Sequence, residues 1–267
     1  AAAKVMLTVT DSTRKGYDME YTFLEFVSDD QIKSEAQNLV GQAMDILNDA
    51  TVGTTIRFRT DQYGKIVKYY NLKDIRKQAE EVLAKAISKM PYADSLRAVG
   101  LDSDKLMSMI DSDDLVDGYT EEIELLFNYH GDQYKIGKTE SHEDATENEY
   151  ASDTKTDIWL DPDTYEYGIS ADVYSYIPRE DIKVLLGNLI EYFTDEESAK
   201  DVRKGLDTEF DSQVTTDGVC NSYVRINYFN DGWPQEVVSQ ENISLGDRQK
   251  LTQKYITWDY RSVGHAE

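Results

Sequence analysis

The segment GDQYKIGKT, residues 131–139, comes close to a phosphate-binding loop. Such a loop places four residues between its glycines and sits between a buried strand and a helix, so that backbone N–H groups and a lysine converge on phosphate oxygens. Here five residues separate Gly131 from Gly137, and Lys138 leads into ESHEDATENEY, which has no apolar helical face and many carboxylates. The segment therefore reads as a hairpin turn, and Lys138 is expected to serve no nucleotide.

DSDDLVDGYTEE, from Asp111, places Asp111, Asp113, Asp117 and Glu122 at the first, third, seventh and twelfth positions of a calcium loop. Its fifth position is Leu115, its glycine position holds Val116, and Gly118 comes two residues late. A calcium loop needs the glycine for its sharp turn, so the stretch reads as a solvated acidic helix end. The histidines, His130, His142 and His265, have no zinc-binding spacing, and no serine lies in a G-x-S-x-G elbow. With 52 acidic residues, carboxylate pairs for acid–base work arise by chance. Cys220 is the one cysteine, so no intrachain disulfide and no multi-cysteine metal site is available, and its strand-like context DGVCNSYV reads as a packed thiol. No cofactor is implied.

Contact residues are easier to nominate. In NYFNDGWPQEV, residues 227–237, Trp233 and Pro234 follow a tight turn and would make an aromatic platform for a sugar or a peptide. The local pattern favours a plainer role, with Trp233 packed over the hairpin tip. Trp159 and Trp258 lie in strand patterns and read as core. Met44, Met90, Met107 and Met109 are adaptable side chains suited to line an apolar gap between sheet and helices.

The elements that must position these residues follow from periodicity. Val5, Leu7 and Val9, then Tyr17, Met19, Tyr21 and Phe23, alternate around DSTRKG and predict a hairpin over 4–27. Ser28 then caps a predicted helix bearing Ile32, Leu39, Ala43 and Leu47, ending near Asp49. TIRFRT and KIVKYY flank Gly64 as a second hairpin; a helix follows from Leu72 to Met90, with Pro91 as stop signal, and a shorter one over 102–110. EIELLFNYH and QYKIGKT predict another hairpin, and residues 140–156 a loop or exposed edge strand. DIWL and YEYGISADVYSYI form a hairpin, followed by a helix from Pro178 with Ile182, Leu185, Leu186, Leu189, Ile190 and Phe193 on its buried face. A polar helix over 195–210, a hairpin from SYVRINYF to PQEVVS and a last strand at YITWDYR complete the chain.

FVSDDQIK, ending at Lys33, and YIPREDIK, ending at Lys183, occupy the same place in two hairpin–helix–hairpin runs. Ile56-Arg57-Phe58 stands before Gly64 as Val224-Arg225-Ile226 stands before Gly232. A diverged ββαββ duplication is expected, with Ile32 equivalent to Ile182 and Gly64 to Gly232. The fold class is α+β, antiparallel sheets built from hairpins with amphipathic helices on one face. The expected division is 1–118 and 119–267, either as separate units or as one continuous domain.

Composition bounds the function. A net charge of −24 repels phosphate backbones and anionic headgroups, so no nucleic-acid partner is expected. No apolar run reaches the roughly 18 residues of a membrane span. The chain begins AAAKVML, without an initiator methionine, which reads as a mature chain whose targeting peptide has been removed. KGYDMEYTFLEF, the hairpin RFRTDQYGKIVKYYN leading into a long helix, and YFNDGWPQEV resemble secreted or lipid-anchored envelope proteins of Bacteroidetes-type bacteria with domains of unknown function. That resemblance implies a layout similar to lipoprotein carriers, a curved antiparallel sheet with helices against one face. It also implies a cell-envelope or secreted location, and brings no active residues with it. The expected function is a non-catalytic binding protein for an apolar small molecule or an envelope protein; a carboxylate-dependent hydrolase is the alternative.

Overall fold

A computed structural model describes residues 2–27, 48, 50–89, 112–146, 149–193, 205 and 210–262. The chain divides into two compact units, Ala1–Gln133 and Tyr134–Glu267, each antiparallel sheet plus helix. The fold is α+β, as the hairpin-rich pattern predicts.

In the first unit β1 (Ala2–Thr13), β2 (Gly16–Val27), β3 (Thr55–Thr60) and β4 (Ile66–Tyr69) form a sheet in that order. Strict alternation puts Met19, Tyr21 and Phe23 of β2 beside Ile56, Phe58 and Thr60 of β3 on one buried face. Among the described residues two helices add to this core. α1 (Leu72–Lys89) buries Ile75, Ala79 and Val82, at spacings of four and three. α2 (Ser112–Phe127) packs Phe127 against Phe58 and Tyr119 against Phe23, with ring centroids 5.7 and 5.9 Å apart.

α2 overturns the strand expected at EIELLFNYH, and it runs across the division expected at residue 118. The alternation over 123–129 is local. The longer spacing Val116, Thr120, Ile123, Phe127 places four buried side chains on one helical face, and that burial decides the structure. The same helix carries Asp117 and Glu122, so this part of the acidic stretch is helix and not loop.

The second unit is a six-stranded sheet in the order β10-β9-β8-β7-β6-β5, every pair antiparallel. Its strands are β5 (Gly137–Glu143), β6 (Ser152–Leu160), β7 (Tyr167–Ile177), β8 (Gly218–Tyr228), β9 (Pro234–Leu245) and β10 (Arg248–Thr257). Ile169, Ala171, Ile226, Tyr228 and Val237 are buried. The edge strand β5 occupies part of the acidic stretch, so the hairpin turn expected at 131–139 is instead a connection from α2 into β5. The last hairpin turns at Gly246, φ +56°, and β9 extends well past the expected PQEVVS segment.

α3 (Arg179–Phe193) follows Pro178 directly, and the Asp217 carboxylate accepts the Arg179 N–H at 2.9 Å as its cap. Ile182 lies on Gly218, where an added Cβ would come within 2.7 Å of its Cδ1. Leu185, expected in the buried face, is 56% exposed. Ile182 and Leu186 are half-buried and Gly187 fully so, which rotates the packed stripe away from Leu185.

The two sheets share one register. In β2–β3 the partners are Tyr17↔Thr60, Met19↔Phe58 and Tyr21↔Ile56. In β7–β8 they are Tyr167↔Tyr228, Ile169↔Ile226 and Ala171↔Val224. The pairs Phe58↔Tyr69 and Arg59↔Lys68, broken by a bulge before Thr60↔Ile66, recur as Ile226↔Val237 and Asn227↔Glu236, broken before Tyr228↔Pro234. Gly64 and Gly232 close both turns at φ +88° and +89°. In each turn the glycine N–H and a second N–H bond the same relative carbonyls: Gly64 to Asp61 and Asp61 to Lys65, Gly232 to Phe229 and Phe229 to Trp233. Each turn is also latched by the closing residues of its own unit. His130 packs on Gly64 and Lys65 pairs with Asp132 at 3.3 Å; Arg261 pairs with Asp231 and stacks 4.2 Å from the Phe229 ring centroid. The strand framework expected of the duplication is thus present twice, whereas the residues expected to form its first helix, Ile32 among them, lie outside the described residues.

Candidate functional site

Alternate residues of the six-stranded sheet point away from the face on which Ile182 meets Gly218. This opposite face carries charged and aromatic side chains held in cross-strand rows. One row runs His142↔Asp153↔Tyr174↔Asn221 through β5, β6, β7 and β8. His142 Nδ1 is 2.7 Å from Asp153 Oδ1, and the Tyr176 hydroxyl donates to Asp153 Oδ2 at 2.7 Å. On its other side His142 Nε2 faces Asp144 at 3.4 Å. Asp172 accepts from Asn221 at 2.5 Å and from the Tyr174 hydroxyl at 3.2 Å. Further along, the Trp159 ring packs on Gly168 and the Arg225 guanidinium sits 5.4 Å from its centroid. Trp159, expected in the core, is therefore a half-buried residue of this face.

The ionisation states follow from these bonds. The hydrogen bond from Tyr176, then that from His142, holds the Asp153 carboxyl below its ordinary range. The bond to Asp153 raises His142, with the charges of Asp153 and Asp144 adding to it. Tyr176 is raised by the same carboxylate and Tyr174 by the Asp172 charge. Asp18, bonded by Tyr70 and Arg59 on the first sheet, Asp161 and Asp211 are lowered as well. A lowered carboxyl stays ionised at neutral pH and is a poor general acid, which needs a raised pKa. Ionised carboxylates beside tyrosine rings can pair with a cationic side chain, which would gain both charge pairing and ring contact.

The residues singled out by sequence fall elsewhere. Trp233 is half-buried at the hairpin tip, and Pro234 is fully buried, its carbonyl accepting the Trp258 indole N–H at 2.5 Å. Met44, Met90, Met107 and Met109 lie outside the described residues. Lys138 Nζ lies 3.7 Å from Asp157 on an exposed edge strand. Cys220 is half-buried, its thiol raised by burial and by Glu241. Among the described residues no group of three or more His, Cys, Asp or Glu is placed to hold a metal ion, and no helix is long and apolar enough to cross a membrane. The His142–Asp153–Tyr176 cluster escapes sequence reasoning because its members are brought together by strand register. Its one visible signal is a histidine inside an acidic run.

Compared with family models, with curated proteins and with solved structures, the chain finds no match.

Proposed function

We propose that this chain is a non-catalytic binding protein of the cell envelope or of secreted origin, which engages a protein or peptide partner bearing exposed lysine or arginine. The observation that carries the reading is the pair Asp153 and Asp172, both anchored by neighbouring hydroxyl, amide or imidazole groups on the sheet face opposite Ile182. The net charge of −24 supports it, since long-range attraction would speed the approach of a cationic partner. The lowered Asp153 carboxyl favours this over a hydrolase that would use it as general acid.

Calorimetric titration with a lysine-rich peptide tests the reading. Any acidic chain attracts such a peptide, so the informative comparison is between variants of equal charge. Asp153→Asn with Asp172→Asn is expected to weaken binding roughly tenfold, while Asp163→Asn with Asp247→Asn changes it less than about twofold. Equal losses in both double variants would reduce the effect to net charge and overturn the site.

A further inference from the structure

The six-stranded sheet ends in two regular edges of opposite character. β10, RQKLTQKYIT, carries Arg248, Lys250 and Lys254 and no carboxylate, in a chain with 52 acids. β5, GKTESHE, carries Glu140 and Glu143 and is followed at once by Asp144; its one lysine, Lys138, faces Asp157. Neither strand contains proline, and their registers with β9 and β6 run without a bulge. By contrast β1, an edge of the other sheet, has two register breaks. Among the described residues no strand pairs with the outer side of β5 or β10. Leu251 and Tyr255 on β10 are 59% and 62% exposed.

The rows across the sheet connect the two edges. Glu143 pairs Ser152, then Ser175, Cys220, Ile243 and finally Lys250. Gly137 leads likewise through Ile158, Ile169, Ile226 and Val237 to Ile256. All seven residues of β5 therefore sit at the ends of unbroken rows that finish at 250–256. With six antiparallel strands, β5 and β10 run in opposite directions, so a translated copy brings its β10 antiparallel to β5 with the same faces up.

We propose that β10 of one molecule adds to β5 of a second copy of this chain in the unsheared register, placing Lys250 opposite Glu143 and Tyr255 opposite Lys138. Edge lysines ordinarily prevent strand addition. They do so here against a like edge, because β10 on β10 opposes cations and β5 on β5 opposes carboxylates. Charge thus selects the unlike pairing, which is head-to-tail and leaves a free edge at each end. Sheet twist then makes the growing assembly helical rather than flat.

Sedimentation velocity on the full chain across a concentration series tests this. In physiological salt, which screens the repulsion between chains of net charge −24, the average mass is expected to rise with concentration and to exceed a dimer. Lys250→Glu alone and Glu143→Lys alone should each require roughly tenfold higher concentration for the same association. An equimolar mixture of the two variants should restore it, since every junction in an alternating assembly again opposes an ammonium to a carboxylate. A monomer throughout, a dimer that does not grow, or a mixture that fails to recover would overturn the proposal.

Discussion

Gly64 and Gly232 share one backbone conformation and differ in what surrounds them. A Cβ on Gly64 would lie 2.5 Å from the His130 ring, whereas on Gly232 its nearest neighbour is the Tyr167 hydroxyl at 3.6 Å. Both positive φ values resist a side chain at about 1–2 kcal/mol. Gly232→Ala should cost that much, and Gly64→Ala should exceed it by about 1 kcal/mol because His130 must move; urea unfolding of each variant measures the difference. His142 offers a second residue-scale test. Its raised pKa means that its interaction is fully present below the unfolded-state value and lost as pH rises through the folded value. Asp153 is lowered, so its part is present above its unfolded value and lost as pH falls through the folded one. The pair acts between the two, and Asp153→Asn should bring the His142 titration, followed by proton NMR, back toward its ordinary midpoint.

At the scale of elements, α3 is held at its start. Asp217 caps it, Arg179 reaches Asp211 and the Val214 carbonyl and lies over the Phe210 ring, and Lys183 reaches both Asp211 oxygens at 3.0 and 3.1 Å. Asp217→Ala should lose about 1 kcal/mol of stability, the worth of an N-cap. Ile182→Ala should cost about 2 kcal/mol, and Leu185→Ala less than about 0.5, since Leu185 is exposed. Chemical denaturation of the three variants ranks them, and a Leu185 effect as large as that of Ile182 would show the packed face to be wrongly placed. The hairpins were readable because their period of two is set by the backbone. In α2, seven residues of apparent alternation conceal the helical period that runs through all sixteen.

The whole molecule repeats one sheet design with different completions. Among the described residues unit one packs α1 and α2 on its buried face, while unit two lengthens β9 and adds β5 and β10 at the edges of the shared framework. Each unit has its own buried residues and its own latched hairpin, so each should fold alone. Residues 134–267 expressed separately are expected to give a sheet-rich circular dichroism spectrum and one cooperative thermal transition. A spectrum of unfolded chain would show that the unit depends on the rest of the molecule.

Local periodicity and turn chemistry alone determined the hairpins at 4–27 and 55–70, α1, the start of α3 and the correspondence of Gly64 with Gly232, because these depend on neighbours within a few residues. The repeated strand pattern was legible for the same reason: two copies of a short pattern are visible wherever the chain later places them. Tertiary structure alone decided that Leu185 faces solvent, that Pro234 is buried under Trp258, and that His142 meets Asp153 and Tyr176. It alone also decided that Lys250 and Glu143 end a single row. Those outcomes depend on register summed across several strands and on which helix face meets a sheet, and long-range burial settles both without leaving a mark in the local pattern.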